Sequence, residues 1–130
     1  MKVIEAKGAI LGRVASYAAK EALKGEDIAV INCKDILISG NKKTILEGYR
    51  QKRRRTGTGF RGPKFPRTEY MIVKRTIRGM LPHHQSGRGR VAMKRIKCYN
   101  DTPLEFEKSE KIILEQRNPL KTSKIGEVTK

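Results

Sequence analysis

The sequence predicts an α/β fold with parallel strand pairing, and three observations near its start carry that prediction. Lys2 to Ala6 reads as a short strand with Val3 and Ile4 as its apolar pair. From Leu11 to Lys24 the residues Leu11, Val14, Ala15, Ala18, Ala22 and Leu23 recur at helical spacing, and Gly25 stands where a helix C-terminus wants a glycine. Ile28 to Ile31 is a continuous apolar run of the kind shown by a strand buried on both faces. Strand, helix, strand is a βαβ unit, whose Ala-rich helix face can pack closely on the sheet and whose crossover is right-handed.

The elements that follow are read in the same way. Ile36-Leu37-Ile38 forms a further apolar run within Asp35 to Ser39, and Ser39-Gly40-Asn41 supplies turn and cap chemistry. A helix is expected from Lys42 to about Gln51, with Ile45, Leu46 and Tyr49 on one face. Its start, Lys42 and Lys43, opposes the helix macrodipole by roughly a few tenths of a kcal/mol, so anions are expected nearby. Four consecutive cations, Lys52 to Arg55, lead into a segment broken by Gly57, Gly59, Gly62, Pro63 and Pro66. Arg50 to Arg67 is therefore expected to be an extended basic loop, mobile in the free protein because it has little to bury and much like charge. Thr68 can cap a helix in which Tyr70, Val73, Ile77 and Met80 share a face while Lys74, Arg75 and Arg78 project elsewhere, and Gly79 with Leu81-Pro82 ends it. After a turn at His83 to Gly89, Arg88 to Arg95 reads as a short basic helix feeding a strand at Ile96 to Tyr99. Ile112 to Leu114 is expected to lie in a helix begun by Ser109 and ended by Pro119. The organisation expected is a single α/β domain over residues 1–103, with the basic loop inserted at about 50–67, and a C-terminal extension over 104–130.

Charge is distributed very unevenly. Asn41 to Lys97 holds eighteen of the thirty Lys and Arg residues against two acids, Glu47 and Glu69, so sixteen of the seventeen net positive charges lie there. The segments on either side sum to plus one and to zero. A solubility device would spread its charge, whereas this segregation, with a pI near 10.3, points to a polyanionic partner. No apolar run approaches the roughly 18 residues of a membrane span and no basic amphipathic helix has a broad apolar face, so a membrane is not expected as partner. Met1 is not followed by an apolar stretch of signal-peptide length, and a cytoplasmic location is expected.

Few residues suggest catalysis. Cys33 and Cys98 form no C-x-x-C and have no matched His pair, so each reads as a small buried hydrophobe. His83 and His84, the only histidines, have no nucleophile or carboxylate constellation in sequence. Gly57 to Gly62 matches G-x-G-x-x-G, but cations precede it and Pro63 follows it where a strand and a helix are required. Gly8-Ala9-Ile10-Leu11-Gly12-Arg13 is better placed, between strand and helix, yet lacks the Gly-Lys-Ser/Thr ending of a P-loop. It reads either as a phosphate site at a helix N-terminus, aided by Arg13, or as a tight βα turn. A small nucleotide-binding enzyme using this turn is the alternative function; a non-enzymatic RNA binder without cofactor, metal or small-molecule substrate is the one expected. A Gly/Pro-broken loop of cations can follow the irregular backbone of folded RNA, and no DNA-binding helix-turn-helix, zinc finger or basic zipper is evident. Phe60 and Phe65 either stack on unpaired bases or anchor the loop on the core.

Several ordered motifs together carry a family resemblance. Arg78-Gly79-Met80-Leu81-Pro82, Gly87-Arg88-Gly89-Arg90 and Ile96-Lys97-Cys98-Tyr99 are preceded by Ile10-Leu11-Gly12-Arg13-Val14-Ala15-Ser16 and by Ile38-Ser39-Gly40-Asn41-Lys42 with Tyr49. This series resembles the L-thirteen family of large-subunit ribosomal proteins over roughly Met1 to Pro103, and the long Arg-rich loop resembles its archaeal branch. The resemblance implies a three-layer α/β/α domain with a four-stranded parallel sheet in the order 3-2-1-4. It also implies large-subunit ribosomal RNA and neighbouring ribosomal proteins as partners, with a role in subunit architecture and assembly. By motif, the RNA-binding residues it implies are Arg13, Lys42, Lys43, Arg50, Lys52, Arg53, Arg54, Arg55, Phe60, Arg61, Lys64, Phe65, Arg67, Arg78, Arg88, Arg90, Lys94 and Arg95; Lys74 and Arg75, projecting from the helix after Thr68, are expected to bind with them, and Gly12, Gly79, Leu81 and Pro82 have structural roles.

Overall fold

Two strands that are apolar on both faces anchor the molecule. The structure, a computed structural model, describes residues 1–55, 59, 64–114 and 119–129. Strand β1 (Lys2–Glu5) pairs in parallel with β2 (Ile28–Ile31), Ile4 opposite Val30, and helix α1 (Leu11–Leu23) makes the crossover between them. Later in the chain come β3 (Leu37–Ser39), α2 (Lys42–Arg54), α3 (Glu69–Met80), α4 (Gly87–Lys94), β4 (Ile96–Cys98), β5 (Lys111–Ile113), β6 (Thr122–Lys124) and α5 (Ile125–Val128).

The class is the expected one, α/β around a four-stranded parallel sheet, with the spatial order β4-β2-β1-β5. Counted in chain order within the sheet, these strands stand 3-2-1-4; in detail, β4 and β5 fill the third and fourth places. β3, the further apolar run of the sequence, lies outside this sheet and pairs antiparallel with β6. Only residues 32–36 separate β2 from β3, whereas a parallel neighbour needs a crossover of about a dozen residues or more. The chain turns away through Asn32, in the left-handed region at φ 56°, and a 3₁₀ turn at Cys33–Asp35. β3 is then stitched to the α1 entrance, the Leu37 N–H donating to the Ala9 carbonyl at 2.8 Å.

The segment expected to be a helix from Ser109 supplies β5 instead. Isoleucine favours extended backbone, and the otherwise open edge of β1 offers partners for the backbone hydrogen-bonding groups of this run. α1, α3 and α4 pack on the sheet side that bears Ile4, Ile28, Val30 and Ile96. The opposite side, Val3, Ala29 and Ile31, is covered among the described residues by Phe106 and Tyr99, whose ring centroids are 5.7 Å apart. In α3 the buried residues are Ile72, Val73 and Ile77, while Tyr70 and Met80, expected on that face, are more than a third exposed.

Candidate nucleic-acid interface

The basic segment is carried by three helices and the stretch that returns from the loop. α2 runs three residues beyond its expected end, to Arg54, because Lys52, Arg53 and Arg54 in its last turn complement the negative end of the helix dipole. None of its residues is fully buried, so it is held at points. Its first turn is capped by Asn41, whose Oδ1 accepts from the Lys43 N–H at 3.1 Å. The anion expected near its cationic start is Glu127 of α5, 3.3 Å from the Lys42 ammonium. At its other end the half-buried Arg53 donates from Nη2 to the Thr129 carbonyl at 3.2 Å. The Arg53 Nε is buried with no partner among the described residues. Arg53 thus faces protein, while Lys43, Arg50, Lys52, Arg54 and Arg55 are exposed.

Phe65 pins the returning chain. Its ring centroid lies 5.5 Å from that of Tyr49 on α2, and burial pushes the Tyr49 hydroxyl above its ordinary pKa. The Lys52 ammonium sits 5.3 Å from the Tyr49 centroid and 5.4 Å from that of Phe65, and the Arg75 guanidinium sits 4.9 Å from Phe65. Of the two roles open to Phe65, the contacts are those of an anchor that also orients two cations. Phe60 and Arg61, and the middle of the stretch expected to be mobile, lie outside the described residues.

α3 begins at Thr68, whose side chain makes no capping bond. Asn100, after β4, caps it instead: its Oδ1 accepts from the Tyr70 N–H at 3.0 Å, and its Nδ2 donates to Glu69 at 3.2 Å. Glu69 also accepts from the Thr129 hydroxyl at 3.2 Å, so one of the two acids of the basic segment is engaged in protein contacts. Met71, Lys74, Arg75 and Arg78 follow one another at i, i+3, i+4 and i+7, a single stripe away from Ile72, Val73 and Ile77. With Lys64, Pro66 and Met93 of α4 they line an open pocket of about 290 Å³.

α3 ends where Leu81 turns extended and Pro82 follows; Gly79 is an ordinary helical residue with open space around it. Gly89 has the sharper requirement, since a Cβ there would lie 1.8 Å from the Pro82 carbonyl oxygen. Arg88, Arg90 and Lys94 are exposed on α4, Arg67 is exposed before α3, and the half-buried Arg95 turns its guanidinium towards Gly25. Arg13 stands apart from the Phe65 cluster. It lines a groove of about 790 Å³ with Tyr17, Lys20, Leu23, Met80 and Leu114, and Gly12 beside it is exposed with nothing near its missing Cβ. The Gly8–Arg13 turn itself is closed by the backbone, the Gly8 N–H donating to the Asp35 carbonyl at 3.1 Å.

The structure therefore gathers Lys52, Lys64, Lys74, Arg75 and Arg78 around Phe65 and α3, and leaves Arg13 on another groove. Tyr49, Pro66, Met71, Met93 and Gly89 complete this arrangement and are not among the sequence-derived site residues. Met71 had a signal in its helical spacing to three cations, whereas Met93 and Gly89 meet their neighbours only through the fold. Among the described residues no cluster of three His, Cys, Asp or Glu side chains could hold a metal.

Residues 1–105 match the family model described as Ribosomal protein L13. Similar proteins carry the name large ribosomal subunit protein uL13. The one from Methanosarcina barkeri is 48% identical over 115 residues, 88% of this chain and 81% of the relative. That from Methanocaldococcus jannaschii is 44% identical over 115 residues, 86% and 83% of the two chains. That from Natronomonas pharaonis is 42% identical over 128 residues, 98% and 87%.

Proposed function

The chain belongs to the ribosomal protein L13 family, and on that premise we propose that it binds large-subunit ribosomal RNA and supports assembly of that subunit as a non-enzymatic component. It is a structural protein of the large ribosomal subunit, and its place of work is the cytoplasmic ribosome. The observation that carries the RNA reading is the segregation of sixteen of seventeen net positive charges into Asn41 to Lys97. Twelve of the eighteen cations of that segment stand on α2, α3 and α4, while the nearly neutral segments supply β1, β2 and β5 of the sheet. Exposed Arg and Lys side chains neutralise phosphates and release counterions, and the backbone contacts position the protein without reading sequence. Neighbouring large-subunit proteins are its other partners in this reading.

Titration of large-subunit ribosomal RNA with the full chain at two salt concentrations tests the proposal. With about 6 to 10 phosphates neutralised, affinity falls on the order of a thousandfold between about 50 and 200 mM salt, by analogy with duplex DNA. RNA affinity that ignores salt, accompanied by tight mononucleotide binding abolished by Arg13→Ala, would overturn it in favour of an enzyme built on the Gly8–Arg13 turn.

A further inference from the structure

The pocket between α3, α4 and the segment before α3 combines two kinds of surface. Lys64, Lys74, Arg75 and Arg78 bring four cations to it, whereas Pro66, Met71 and Met93 bring a prolyl ring and two thioethers. No acid lines it among the described residues. Pure phosphate-backbone binding needs the cations alone. It gives no reason for Met71 to stand 47% exposed in line with Lys74, Arg75 and Arg78, where a polar residue would cost nothing in folding.

We propose that this pocket takes one unstacked nucleotide of the bound RNA, its base against Met71, Met93 and Pro66 and its flanking phosphates on Lys64, Lys74, Arg75 and Arg78. This deepens the RNA-binding reading above and rests on it. A nucleotide joins an apolar, polarisable disc to an anion on each side, and the pocket offers the matching pair of surfaces. At about 290 Å³ it lies at the small end of ligand-sized clefts, room for one such group and not for a helix. Thioethers suit the flat face of a base because sulfur is polarisable and the unbranched side chain adapts to the face presented. Arg75 is already held, its guanidinium 4.9 Å from the Phe65 ring centroid, so less of its freedom is lost on meeting a phosphate. An acidic peptide would satisfy the cations and leave the methionines uncovered.

The test compares a short uninterrupted RNA duplex with the same duplex carrying one unpaired 2-aminopurine, each titrated with the full chain. The expected result is about tenfold tighter binding of the bulged RNA, a base contact being worth on the order of one decade, with a rise in 2-aminopurine emission as the base leaves its stack. Met71→Ser, at an exposed position, brings the ratio of the two affinities most of the way back to one. Equal affinity for the two RNAs, no effect of Met71→Ser on the preference, or equally good displacement of the bulged RNA by a poly-glutamate peptide would each overturn the pocket assignment while duplex binding persists. Failure of either RNA to bind would instead overturn the RNA reading on which the assignment rests.

Discussion

Gly89 and Glu21 are single positions whose chemistry is decided by one or two neighbours. A Cβ on Gly89 would press on the Pro82 carbonyl, a backbone atom that cannot rotate away. Gly89→Ala is therefore expected to destabilise the chain by about 2 kcal/mol or more. Gly12→Ala, on an exposed helical position with open space, is expected to stabilise it by about 0.5 kcal/mol; urea unfolding of the two variants side by side checks both signs. Glu21, on α1, accepts hydrogen bonds from the Lys2 and Lys24 ammonium groups, the latter at 2.7 Å. The Lys2 bond above all, with Lys24, holds its carboxyl down to about 2 from an ordinary 4.5, against the opposing effect of burial. A depressed carboxyl stabilises the fold above its unfolded pKa and loses that contribution as pH falls through the folded one. Stability should thus drop between pH 4.5 and about 2, and Glu21→Gln should flatten that part of the profile, which denaturant unfolding across the acid range measures.

α2 has no fully buried residue, and its position depends on the half-buried face of Ile45, Leu46 and Tyr49, on contacts at its ends and on Phe65. The ring of Phe65 touches Tyr49 and lies beside Lys52 and Arg75, which ties α2, the returning loop and α3 together. Phe65→Ala is expected to cost about 1 to 2 kcal/mol and to speed tryptic cleavage after Lys64 and Arg67. If cleavage rates stay at the parent level, the anchor role fails. α3 illustrates a different dependence. Its sequence signals a cap at Thr68, but the bond to the first turn comes from Asn100, about thirty residues away in sequence and next to it in space. Local pattern announces that a helix starts near Thr68 and cannot announce which group satisfies its N–H, because donors and acceptors brought by another segment compete on equal terms.

At the scale of the molecule, the segment after Pro103 is woven into the fold. β5 forms the edge beside β1, β6 covers β3, and Ile125 and Val128 of α5 are fully buried. A chain ending at Pro103 is expected to lose cooperative unfolding altogether, because it uncovers the β1 edge and the apolar surface under α5. Calorimetry of the truncated and full chains compares the two directly; an undiminished cooperative transition in the shorter chain would refute this.

The elements with strong period or uniform burial, α1, β1, β2 and the start of α2, were plain in the sequence because their apolar spacing has one low-energy reading. The charge of the α2–α4 segment was equally plain, since it is a sum over residues and needs no coordinates. The fate of the short runs Leu37–Ser39 and Lys111–Ile113 was not. Three residues carry no period, and whether they pair, and with what, depends on which edges the rest of the fold leaves open and on how much chain is available to reach them. The candidate site divides along the same line. Its cations were named from the sequence, while the pairing of Phe65 with Tyr49, the turn of Arg53 into protein and the placing of Met71 and Met93 on one pocket were decided by the tertiary structure, because such arrangements join residues remote in sequence.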